Sequence, residues 1–505
     1  MRIPHPTISR RRVLQGAAAA PLLAAATGAR AQPARAVAMA IPGDPRSLDP
    51  MFRDGGIEGS IQRQYLDTLV HRDGDNRMRM WLAESVEQDD ATTWRVRMKP
   101  GIRFSNGEPV DAEAVRYSIQ RIVAPDSRSV IKSQIAPLGE VAIEDPLNFR
   151  FRLAKPDPLL ITRLTWLFIV PPKHAAAVGD QFTNQPIGSG PYLVKHWRRN
   201  AEVAFTANPG FWGDKPYFQD ATYKIVPEEI ARVSALRTGE AQIATVLSAN
   251  QAANLRGAAG LKVVTQPTAL VATLNFNPRA APADKLEFRR AVAHAINREE
   301  ILRGLVRDMG APVTTLFGPA VQNVPPGIAM DFPFKLEESR ATIERLGLRG
   351  TEVEVGGPSG RFPYDRDVAS VVAAQLRRVG LNARTRVAEF GTYWADIRAG
   401  RSAPVFIQVH GNSWFDPVPQ LDAFYYSEGL GSPWRDPETD ALLARTYGST
   451  GAERLAAIGA VMERVRDQVM GVPLFNYTYL HGAATGIDWQ PRADDFLFAF
   501  ELKGT

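Results

Sequence analysis

The sequence predicts an α/β protein with mixed sheets, and three observations carry that expectation. Segments with the two-residue alternation of strands take turns along the chain with segments of helical period. The 40 Gly and 38 Pro are scattered and not clustered, so turns are frequent throughout. At 505 residues, 45% of them apolar, the chain can bury large cores but is too long for one ordinary domain. Two or three domains are expected.

The elements follow in order. Val37–Ile41 reads as a strand stopped by Pro42-Gly43-Asp44-Pro45, and a helix is expected through Ile61–Leu66. Across 92–104, Trp94, Val96 and Met98 alternate with Arg95, Arg97 and Lys99, the pattern of a half-buried strand pair. Asp111 can accept the free amides of a first turn, which predicts a helix over Ala112–Val123. Phe149–Leu153 is a strand, Tyr192–Phe205 a hairpin and Ala221–Val226 a strand, and the helix over 228–238 ends at Gly239. Val271–Phe276 is a strand and Leu286–Leu305 one long helix. In the last third, helices at Leu336–Leu346, Val368–Val379 and Glu453–Val469 accompany strands at Thr351–Val355, Asn382–Val387 and Ala403–Val409.

Charge and composition exclude several functions. The formal charge is +6, but residues 1–31 hold Arg2, Arg10, Arg11, Arg12 and Arg30 and no acid, so the remainder carries only +1. A nearly neutral body has no electrostatic footprint for nucleic acid. The first 31 residues read as an export signal: Ser9-Arg10-Arg11-Arg12-Val13-Leu14-Gln15, an apolar run from Val13 to Ala26, and the small-residue site Ala29-Arg30-Ala31. The arginine run resembles the twin-arginine type. With no cysteine the chain has neither disulfides nor a lipid-anchored Cys, and no later segment is apolar for the length of a bilayer span. A protein free in the periplasm is expected.

Catalytic signatures are absent. No P-loop, H-E-x-x-H or G-x-S-x-G occurs, and Gly188-Ser189-Gly190 runs into Pro191-Tyr192 with no third glycine. None of the seven histidines lies three or four residues from another, so no helix presents a metal pair. A hydrolase would need a nucleophile or a metal that no motif supplies. Neither an enzyme nor a cofactor is expected.

Several stretches carry a resemblance. Leu48-Asp49-Pro50, Tyr65-Leu66-Asp67-Thr68-Leu69-Val70 and Met98-Lys99-Pro100-Gly101-Ile102-Arg103-Phe104-Ser105-Asn106-Gly107 stand in order. They precede Pro186-Ile187-Gly188-Ser189-Gly190-Pro191-Tyr192, Asn208-Pro209-Gly210-Phe211-Trp212 and Phe288-Arg289-Arg290-Ala291 through Ala295-Ile296-Asn297-Arg298. Together they resemble the peptide/nickel/oligopeptide class of extracellular solute-binding proteins, family 5, of ABC transporters. The match is strongest over residues 41–305.

That resemblance implies a two-lobed periplasmic binding protein of type II, cluster C-like, with an extra inserted domain. Domain I would combine 37–72, 185–274 and 474–505, domain II would be 73–184, and domain III, the second lobe, 275–473. The chain would cross between lobes near Leu274-Asn275 and Pro473. A small-molecule ligand, a peptide or another carboxylate-bearing solute, would be captured between the lobes and delivered by a monomer to the permease. Arg361, in the loop Ser359-Gly360-Arg361-Phe362-Pro363-Tyr364, matches an arginine that grips the ligand carboxylate in peptide-binding relatives, and a guanidinium suits that bidentate role. Phe362, Tyr364 and Asn275 join the candidate site. In His410-Gly411-Asn412-Ser413-Trp414-Phe415-Asp416-Pro417, Trp414 is placed to stack on a ligand, Asp416 to cap a turn or bind an amine, and Asn412 to line the same cleft. Relatives that bind free peptides carry an earlier Asp for the α-amine where this chain has Ser413, so an acid without that amine is credible. Sugars and metal chelates stay open, His410 being the one histidine placed for nickel. A chaperone or sensor built on the same clamp is the alternative from another class.

Overall fold

The computed structural model describes residues 35–53 and 55–505; the export-signal reading lies outside the described residues. The largest sheet holds eleven strands. In spatial order it runs Tyr192–Arg198, Glu202–Ala207, Asp220–Ile225, Ala36–Ile41, Ile243–Leu247, Gly471–Ala484, Leu261–Phe276, Val405–His410, Glu352–Ser359 and Asn382–Glu389, with the short Gly310–Ala311 paired to Gly471–Ala484. Parallel pairs such as Ala36–Ile41 with Asp220–Ile225 lie beside antiparallel ones, so the sheet is mixed as expected.

Two long antiparallel strands, Leu261–Phe276 and Gly471–Ala484, join its halves. Their first part is flanked by Ile243–Leu247 and their second by Val405–His410. The register slips between Pro267 and Val271. There Asn476 Nδ2 donates to the carbonyls of Thr268 and Leu270, each at 2.8 Å, and Thr268 Oγ1 donates to the carbonyl of Tyr477. These side chains satisfy backbone groups that the ladder leaves open.

Three large apolar cores follow. One gathers Ala272 through Tyr477 around Phe276, Phe288 and Leu376. A second gathers Leu69 through Ile169 behind a four-stranded antiparallel sheet (Ala83–Gln88, Thr93–Met98, Asn148–Arg152, Glu140–Asp145). The third lies under the first strands of the large sheet, around Met39, Tyr192 and Tyr223. The molecule is thus two lobes on one continuous sheet, with the four-stranded unit added to the first.

Local chemistry accounts for the boundaries. The Asp111 carboxylate accepts from the Ala114 amide at 3.0 Å and starts the helix Ala112–Val123, and Gly239 ends Glu229–Thr238 in the left-handed region. The single helix expected over 286–305 is broken. Leu286–Ala295 stops at Ile296, whose backbone is extended, and the Asn297 side chain caps a new short helix through the Glu300 amide. Asn competes with helical hydrogen bonds in mid-helix and favours caps.

Two glycines are required by close approach. A Cβ on Gly188 would lie 1.8 Å from the Tyr65 carbonyl oxygen, and one on Gly190 would lie 2.6 Å from the Tyr65 carbonyl carbon. Both neighbours are backbone and cannot rotate away. Gly188→Ala is therefore expected to cost more than about 2 kcal/mol, read as a lowered urea midpoint. An unchanged midpoint would mean that the segment shifts freely.

Candidate functional site

Between the lobes lie two adjoining compartments that share Gly56, Asp495 and Phe496. The inner one encloses about 170 Å³ and the outer about 420 Å³, together within the usual range for a small-molecule site. Arg53, Arg63, His71, Arg72, Trp166 and the segment 492–498 face Ser413 and Phe415 across the inner compartment. Val246, Gln266, Tyr479 and His481 face Arg361 and Phe362 across the outer one. Three non-glycine residues of these walls, Val246, Phe415 and Asp495, hold positive φ (53°, 55° and 63°), as does Tyr364 at 60°. Such conformations persist only where surrounding structure enforces them, and they concentrate at functional sites.

The predicted residues separate into two groups. Arg361 and Phe362 reach the outer compartment. The Asp365 carboxylate holds their loop by accepting from both backbone amides, at 3.0 and 3.1 Å. Arg361 is exposed, its guanidinium 5.6 Å from the Phe390 ring centroid, and forms no ion pair among the described residues. Tyr364 lines neither compartment; it packs, partly buried, against the cores on either side and precedes the helix Asp365–Arg378.

The other candidates are occupied elsewhere. Asp416 is 3% exposed, and Arg454 donates to both its carboxylate oxygens at 2.7 and 2.8 Å. It also starts the helix Pro417–Tyr425 by accepting from the Val418 amide. Of its two expected roles the cap is observed, whereas the charge is already neutralised and unavailable to an amine. Asn412 is buried and donates to the Asp416 carbonyl at 2.8 Å. Asn275 is buried against Thr273 and Tyr425, away from both compartments. Trp414 stacks on Trp166 of the opposite lobe at 5.7 Å, and its carbonyl accepts from Arg72 Nη2 at 3.0 Å, so it contributes to the junction between lobes. His410 is sealed against Phe424 with both ring nitrogens unpartnered, and burial holds its pKa down at about 3. It lines neither compartment, and no cluster of three metal-ligating side chains occurs among the described residues.

Several wall residues escape sequence reasoning. Arg63 pairs with Asp67 at 2.7 Å, and Arg492 with Asp494 at 2.6 Å and Glu501 at 2.7 Å. Nδ1 of His481 accepts from the Val246 amide, so Nε2 carries the proton and donates to Gln266 Oε1 at 2.6 Å. Burial keeps this ring neutral, its pKa near 3. Asp495 faces the cleft water, yet protein surrounds it on other sides. Desolvation first and the neighbouring Asp494 charge second push its carboxyl up to about 7, an effect the cleft water moderates.

Comparison with known proteins agrees with this architecture. Residues 77–432 match the family of bacterial extracellular solute-binding proteins, family 5 Middle. The chain is 23% identical over 398 residues to the glutathione-binding protein GsiB of Salmonella paratyphi A, covering 77% of this chain and 76% of that one. It is 24% identical over 454 residues to the nickel-binding periplasmic protein of Escherichia coli, covering 82% and 84%. In three dimensions it is similar to HbpA2 from Haemophilus parasuis, with TM-score 0.84 at 18% identity, over 93% of this chain and all of the other.

Proposed function

Because the chain belongs to the bacterial extracellular solute-binding proteins of family 5, receptors and not enzymes, we propose that it captures a carboxylate-bearing organic solute between its lobes for an ABC importer. The observation that carries this reading is Arg361, an exposed guanidinium without an ion-pair partner among the described residues, held on one lobe at the mouth of a cleft whose opposite wall is the other lobe. A bidentate pair with a carboxylate is shorter and stronger than a neutral hydrogen bond, and closure around it would expel water. We take the slip at Pro267–Val271 and the facing Asn476 as the hinge, since flanking strands change there from one lobe to the other. Export by the twin-arginine route, a mature chain without lipid anchor, and action as a monomer with a permease partner complete the proposal. The export route and the anchor-free mature chain are supported by Arg10-Arg11-Arg12, the absence of cysteine, and the lack among the described residues of any helix long and apolar enough to cross a membrane, and the permease partner by the family.

Arg361→Ala is expected to weaken binding of the co-purifying acid by roughly 10- to 100-fold, the worth of one charge-assisted pair. Titration calorimetry with the acid recovered from the natively purified protein measures it. Unchanged affinity would remove Arg361 from the site.

A further inference from the structure

The inner compartment has a charge imbalance that the Arg361 reading does not use. Four arginines and two aspartates line it. Arg63 and Arg492 have carboxylate partners, but Arg53 and Arg72 have none within ion-pair distance among the described residues. Arg72 donates only to neutral oxygens: Asn76, Thr162 Oγ1 and the Trp414 carbonyl. Arg53 is 5% exposed and makes one side-chain hydrogen bond, from Nη1 to the Thr165 carbonyl at 3.1 Å. The rings of Trp166, Phe168 and Phe496 lie 4.4, 5.2 and 5.2 Å from its guanidinium carbon. Nε and Nη2 of Arg63 are sealed and unpartnered, whereas the other N–H groups of Arg53 are neither sealed nor bonded to protein and open onto the compartment.

Asp494 acts on both guanidinium groups, and Asp416 on Arg72, only from beyond ion-pair contact. A buried cation without a paired counter-charge is costly, and an anionic ligand would offset that cost. Burial lowers both pKa values to about 10, so both groups stay charged at neutral pH. The walls carry a surplus of positive charge that disfavours an amine: four arginines face two aspartates, and Asp494 is already held by Arg492.

Resting on the reading that the cleft is the ligand site, we infer that Arg53, backed by the charge of Arg72, is a second anion socket. The ligand is then a small organic acid with at least two anionic groups, carboxylate or phosphate, and no free amine. Arg361 receives one group at the outer compartment and Arg53 receives another at the inner one.

The test is titration of the full chain, freed of endogenous ligand, with C4 to C8 α,ω-dicarboxylates, their half-amides, their 2-amino derivatives and 3-phosphoglycerate, which carries one carboxylate and one phosphate. At least one diacid is expected to bind about tenfold or more tighter than its half-amide and its 2-amino derivative. Preference for 3-phosphoglycerate over every diacid would assign the socket to phosphate. Arg53→Gln is expected to abolish the diacid preference, and to melt at or above the unsubstituted protein without ligand. Equal binding of diacid and half-amide, a preference that survives Arg53→Gln, a panel in which no anion binds, or a lower ligand-free melting temperature would each overturn the inference. A neutral or cationic compound recovered from the cleft would overturn it too, while leaving capture between the lobes intact. A chain whose radius of gyration responds to no solute would instead fail the underlying reading.

Discussion

Asp67→Ala is expected to destabilise the protein by about 3–5 kcal/mol, the cost of stranding a buried charge. Asp67 is fully buried, and its two oxygens accept from four donors. Arg63 Nη1 and Trp81 Nε1 reach one oxygen at 2.7 Å each, while Ser189 Oγ at 2.8 Å and Trp212 Nε1 at 3.1 Å reach the other. These donors come from four separate stretches of chain, so one carboxylate ties the first lobe together. Without it Arg63, 3% exposed, keeps only the Leu66 carbonyl at 3.0 Å. Denaturant unfolding followed by tryptophan fluorescence reads the loss directly, because Trp81 and Trp212 are its partners. A change below about 1 kcal/mol would show that water or a rearranged side chain replaces the carboxylate.

Asp416→Ala is expected to have an effect of similar size on the other lobe, about 3–5 kcal/mol, by leaving Arg454 buried and unpaired. It should also loosen the loop 411–415, which brings Ser413 and Phe415 to the cleft, and so weaken ligand binding. A double-mutant cycle separates the pair from the loop. Asp416→Leu combined with Arg454→Met removes both charges, and stability should largely return. If the double substitution is as damaging as Asp416→Ala alone, the carboxylate acts mainly through the helix cap and its bond from Asn323.

What was legible in the chain was local. Asp111 caps the helix it precedes, Gly239 ends the helix it follows, and Val96 and Met98 are buried while Arg95 and Arg97 are exposed, because each depends on neighbours a few residues away. Gly471–Ala484, which joins the lobes, was missed for the opposite reason. It is buried on both faces, polar Asn476, Thr478 and His481 included, so the contacts that hold it are set by distant strands and not by a polar-out, apolar-in pattern. The site followed the same division. Arg361 stands in a recognisable Gly/Pro loop and reaches the cleft. Asp416 looked equally available, but its partner Arg454 lies 38 residues on. Arg53 acquires its setting from Thr165, Trp166 and Phe496, which no local pattern connects to it.

The most direct measurement is native mass spectrometry of the protein purified without unfolding, beside the Arg53→Gln/Arg361→Ala double variant. The expected result is a discrete adduct on the unsubstituted chain, lost on denaturation, with the mass of a small organic acid, and no such adduct on the double variant. An adduct of equal mass and abundance on both proteins would contradict capture through these two arginines.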